Sequence, residues 1–105
     1  MRKTLAAIER EIRSIKKRLL QIDEMRPGSL TSQHHERPND RNYIYYQLSY
    51  THNTKSRTNY IKKEFVEDVG KQIENYKLFK SLSKRWVDLA IQHSKLKIDV
   101  ANKKR

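Results

Sequence analysis

The stretch YIYYQLSYTHNTKSRTNYI, residues 43–61, decides the class of fold. It opens with YIYYQLSY (43–50), whose aromatic and β-branched side chains suit the pleated, half-buried surface of a strand. A polar THNTKS follows, and RTNYI (57–61) returns to strand-forming residues, so the segment reads as a β-hairpin. Side chains alternate along a strand, which puts Ile44, Tyr46, Leu48 and Tyr50 on one face and Tyr43, Tyr45, Gln47 and Ser49 on the other. The first set is expected to face the helices, with Tyr46 and Tyr50 inside and Tyr43 and Tyr45 available to a ligand. In the second strand Lys55, Arg57 and Asn59 alternate with Ser56, Thr58 and Tyr60. Which of these faces meets which depends on the register, and the pattern leaves the register open.

Upstream, Leu5, Ile8, Ile12, Ile15, Leu19 and Ile22 recur at 3-4-3-4-3 spacing, one stripe of a helix expected over residues 1–25. Thr4 is placed to cap it, and Pro27-Gly28 stops it. Residues 26–42, RPGSLTSQHHERPNDRN, hold both prolines and one of the two glycines and read as a loop, either a contact surface or a plain connector. Downstream, residues 62–102 read as a second helix, bent if anywhere near SLSK (81–84), followed by the basic tail 103–105. Its apolar residues run Phe65, Val69, Ile73, Tyr76, Phe79 and then Leu82, Trp86, Leu89, His93, Leu96, Val100. The two stripes bury each other by antiparallel, coiled-coil-like pairing. Two pairings are open: if the first helix lies on residues 65–82, then Trp86, Leu89 and Leu96 remain as a surface for a partner or a homodimer. The expected fold is α+β, mostly helical, in a single domain over 1–105.

The segments MRPGSLTSQ (25–33), YYQLSYT (45–51) and KSRTNYIKKEFVEDVGKQIENYKLF (55–79) resemble a family of small, basic, uncharacterised bacterial and archaeal proteins associated with mobile elements. That family's pattern runs from a leader helix through PGSL, a cysteine-rich knuckle, a YYYLSYT strand, an N-G-K turn and an SRTRYI strand to a helix beginning P-K-E. Here the knuckle is replaced by HHERPND (34–40), the turn reads HNTK (52–55) without its glycine, and the helix starts Lys62-Lys63-Glu64 without its proline. The resemblance implies the helix, hairpin, helix order and carries over neither a metal site nor an activity.

The chain of 105 residues has 24 Lys and Arg against 12 Asp and Glu, a net charge of +12 that attracts polyanions, nucleic acid foremost. With no cysteine there are no disulfides, thiolate nucleophiles or cysteine zinc sites. Glu9, Arg10 and Glu11 interrupt any apolar run after Met1, so no signal peptide is expected, and a soluble cytoplasmic location is. Two glycines cannot build most phosphate cradles, and no nucleophile elbow or metalloprotease spacing occurs. His34 and His35, with Glu36, Asp40 and His52 near in sequence, lack ligand spacing, and His93 lies on the apolar stripe as a seam residue. The expectation is a noncatalytic protein with no cofactor and no metal.

The expected nucleic-acid contacts are Arg13, Lys16, Lys17 and Arg18 on the first helix, Lys62, Lys63, Lys80, Lys84 and Arg85 on the second, and Arg41, Tyr43, Tyr45, Lys55 and Arg57 at the hairpin. Cations there would neutralise phosphates and release counterions, while the tyrosines stack on bases. Against this stands a solvated helix face laced with i,i+4 pairs such as Glu67-Lys71. The leading function is DNA or RNA binding. An accessory subunit, or a phage- or plasmid-encoded, anti-CRISPR-like inhibitor bound to a nucleoprotein complex, would need its protein partner. A homodimeric helical scaffold would bind neither.

Overall fold

A computed structural model describes residues 4–35 and 43–103, with the backbone alone for residues 33–35, 43 and 44. The elements in order are α1 (Leu5–Leu20), β1 (Ser29–His35), β2 (Tyr43–His52), β3 (Lys55–Ile61), a 3-10 turn (Lys63–Phe65) and α2 (Val66–Lys103). The fold is α+β and mostly helical. The chain divides into two compact units, a helical one of residues 1–22 with 78–105 and a sheet-bearing one of residues 23–77.

In the helical unit, Thr4 caps α1 by accepting the Ala7 backbone N–H at 3.1 Å, and Lys17 and Arg18 in the last turn complement the helix dipole. The stripe of α1 packs antiparallel on the later stripe of α2. Ile8, Ile15, Leu82 and Leu89 form the buried centre, with Ile12, Leu19, Ile22, Trp86 and Leu96 packed against it. Full burial of Ile8 and Leu89 contributes about 2 kcal/mol each. Trp86, Leu89 and Leu96 are therefore not left as an open face for a partner: Leu89 is 0% exposed, and Trp86 and Leu96 are partly buried against the core that α1 closes. Of the two pairings the pattern allowed, this one joins the two sustained 3-4 stripes. α2 runs unbroken through SLSK (81–84), since neither serine costs enough to end a helix held along its length.

In the sheet unit, β1, β2 and β3 form an antiparallel meander in that order. The loop expected over 26–42 is corrected here, because Ser29–His35 pairs with β2, Leu30 opposite Leu48 and Thr31 opposite Gln47. Only Leu30 in the described part of β1 is a large apolar residue, so its strand character comes from the ladder rather than from its own pattern. Leu48, Val69 and Ile73 form the core, with Leu30, Tyr50 and Ile61 against it. The segment leading into β1 is pinned to α2 by the Arg26 N–H on the Gln72 carbonyl (3.1 Å) and by Asn75 Nδ2 on the Glu24 carbonyl (2.9 Å).

The hairpin turn is shorter than the polar THNTKS stretch suggested: Asn53 and Thr54 alone connect β2 to β3, at φ of 52° and 63°. Two-residue hairpins need this left-handed geometry, which Asn tolerates and a β-branched residue resists. Thr54 is held there while its Oγ1 donates to the Asn53 carbonyl at 2.6 Å. Replacing Thr54 by Gly is expected to stabilise the protein by about 1 kcal/mol, a Tm gain of about 5 °C in thermal unfolding. An unchanged or lowered Tm would show that residue 54 is not strained.

Candidate nucleic-acid interface

The two units differ sharply in charge. Residues 1–22 and 78–105 carry 15 Lys and Arg against 4 Asp and Glu, whereas residues 23–77 carry 9 against 8. The helical unit thus holds +11 of the net +12. Both acids of α1 are engaged by α2: Glu11 Oε2 accepts from Arg85 Nε at 2.7 Å, and Glu9 Oε1 accepts from His93 Nε2 at 2.9 Å. That hydrogen bond holds the Glu9 carboxyl below the usual carboxylate range, against the opposing loss of hydration, with the charges of His93, Arg13 and Lys97 acting in the same direction as the bond. His93 is accordingly a polar member of the seam.

With its acids turned to α2, α1 presents cations outward. Arg10, Arg13 and Lys17 recur at i, i+3 and i+7 on the side opposite Ile8 and Ile15, and all three are exposed. Arg18 is exposed nearer the seam. None of these four is in an ion pair among the described residues. Arg10 is a residue the sequence reading passed over, although its spacing to Arg13 and Lys17 was visible. Lys16 is placed differently, its ammonium 5.2 Å from the Trp86 ring centroid. A shallow groove of about 370 Å³ beside it is lined by Glu9, Ile12, Arg13, Lys16 and His93. The Glu9 carboxylate makes that groove a poorer seat for phosphate than the outer stripe.

On α2, Lys80 is exposed, Lys84 pairs with Asp88 at 3.6 Å and Arg85 is held by Glu11. The expected Glu67–Lys71 pair forms at 3.8 Å, and Lys77 pairs with Glu74 at 3.4 Å. Such exposed pairs contribute at most about 1 kcal/mol, so they dilute the field of α2 more than they stabilise it.

In the sheet unit the register separates what the sequence interleaves. Arg57 lies opposite Tyr50 and Lys55 opposite His52, and directly opposed residues share a face. Lys55 and Arg57 are therefore on the face of Leu48, while Tyr45 and Tyr60 are on the other, their ring centroids 5.7 Å apart. Stacking rings and strand cations do not form one surface. The open face instead carries Thr31, Tyr45, Gln47, Ser49, Thr58 and Tyr60, with no charge among its described residues. Tyr46 and Tyr50, expected inside, are only half-buried, as is Tyr45, expected to be available, and Arg26 lies 5.1 Å from the Tyr50 ring centroid, a contact between residues too far apart in sequence to be foreseen. Lys62 and Lys63 are exposed after β3. Arg41 and the side chains of Tyr43, His34 and His35 lie outside the described residues.

Among the described residues no group of three acids or histidines could hold a metal, and no helix is long and apolar enough to cross a membrane. No family model, no curated protein and no solved structure matches the chain.

Proposed function

We propose that this is a noncatalytic nucleic-acid-binding protein of the cytoplasm that grips phosphates with the outward face of α1. The reading rests chiefly on the +11 charge of the helical unit, combined with a stripe of Arg10, Arg13 and Lys17 whose neighbouring acids are turned away. Cations spaced along one helix face suit a regular phosphate backbone, and each phosphate neutralised releases condensed counterions. The nearly neutral sheet unit adds stacking by exposed Tyr60 beside Tyr45 rather than charge.

The test is binding of the purified protein to labelled single- and double-stranded DNA and RNA between about 50 and 200 mM salt, where several phosphate contacts change affinity by orders of magnitude. Salt-steep binding is expected, with single strands favoured if Tyr60 stacks. No binding to any of the four at low salt would remove the reading. A second reading, an accessory subunit or mobile-element inhibitor acting on a nucleoprotein complex, is favoured by one observation, the exposed apolar residues of α2.

A further inference from the structure

α2 carries two apolar seams. One, through Leu82, Trp86, Leu89, His93 and Leu96, is closed by α1. The other, Val87, Ile91, Ser94, Ile98 and Ala101, repeats at 4-3-4-3 spacing on the outer side of the same helix. It is open: Val87 is 58% exposed, Ile91 49% and Ile98 57%. Single exposed aliphatic residues need no explanation, but three large ones in heptad register on one face do. A helix with two 3-4 seams has the pattern of the middle member of a three-helix packing, and the helical unit supplies two helices.

The nature of the occupant follows from seam width and charge. Valine and isoleucine offer neither a π-face nor a hydrogen bond, so bases and phosphates gain nothing along this line. Helices that lie on membranes use a broader apolar face rich in Trp, Phe and Leu, whereas this seam is narrow and has none of them. A second copy would bring one +11 unit against another. Lys84, which flanks the seam, is paired with Asp88, so the exposed Lys95, in no ion pair among the described residues, sets its sign together with the charge of the unit.

We propose that the outer seam of α2 docks an acidic amphipathic helix of a partner protein, completing a three-helix arrangement with α1 and α2. The docked helix sets its apolar heptad positions against Val87, Ile91 and Ile98 and its flanking carboxylates against Lys95. This goes beyond nucleic-acid binding and does not depend on it.

The test uses the full chain and a labelled synthetic helix of three heptads, about 21 residues, with Leu and Ile at the seam positions and Glu at the flanks, read by fluorescence anisotropy. Binding on the order of 10 µM is expected, lost at least about tenfold in Ile91→Glu and lowered several-fold in Lys95→Glu. The same peptide with Lys at its flanks should bind wild type poorly and Lys95→Glu better. Circular dichroism checks that each variant keeps its helix, as exposed positions should. Four outcomes overturn the proposal. They are failure of the Glu peptide to bind; equal binding by Ile91→Glu, which means general attraction to the cationic unit; Ile91-dependent self-association in sedimentation; and Ile91-dependent binding to phosphatidylserine-containing vesicles without peptide binding.

Discussion

Replacing Arg10, Arg13, Lys17 and Arg18 together by Gln is expected to lower nucleic-acid affinity by about three orders of magnitude at about 0.1 M salt. Each phosphate contact contributes about 0.9 to the slope of log affinity against log salt, so losing four should flatten that slope by about 3 to 4. Gln keeps a good helix propensity, and none of the four residues belongs to the seam, so the fold should survive. Lys16→Gln is the internal control: its ammonium sits over Trp86, so the slope should hold while the helical unit loses only a cation–π contact. Anisotropy titrations across salt read both variants. A quadruple variant whose slope stays within about 1 of wild type would take the outward face of α1 out of the interface.

Gly28→Ala is expected to destabilise the protein by about 4 kcal/mol, combining positive-φ strain with overpacking. Gly28 has φ of +151°, where side chains are rarely tolerated, and a Cβ there would stand 2.5 Å from Leu48 Cδ1 and 3.4 Å from the Ser49 carbonyl oxygen. Leu48 cannot swing aside, since it is fully buried in the core with Val69 and Ile73. The PGSL segment thus has a physical reason for its glycine: the chain enters β1 across the top of the Leu48 side chain. All six tyrosines lie in residues 23–77, so the near-UV tyrosine signal in a denaturant titration reports the loss where it occurs. In a Leu48→Ala background the same substitution should cost about 1 to 3 kcal/mol less, because the clash is gone and only the backbone strain remains. A cost under about 1 kcal/mol in the parent would contradict the packing of Gly28 on Leu48.

Gly70 makes the contrast. Among the described residues nothing stands within 4 Å of a Cβ built there, and helix propensity favours Ala, so its glycine has no packing reason among them. The two glycines have the same composition signal and opposite structural meaning, which only the surroundings of each could separate.

What could be read from the chain alone was local or periodic. The 3-4 stripes defined both helices because apolar side chains at that spacing share one face whatever they pack against. Aromatic density marked β2, Thr58, Tyr60 and Ile61 marked β3, and the +12 charge set the class of partner sought. Everything that depended on residues distant in sequence came from the tertiary structure. β1 has little strand pattern and exists through its ladder to β2, and the β2–β3 register moved Lys55 and Arg57 away from Tyr45 and Tyr60. The choice of residues 82–96 over 65–82 as the mate of α1 buried Leu89, packed Trp86 and Leu96 against the same core, and turned Glu9 and Glu11 toward α2. Periodicity states which residues share a face; only the energetics of contacts across some seventy residues of chain decide what that face meets.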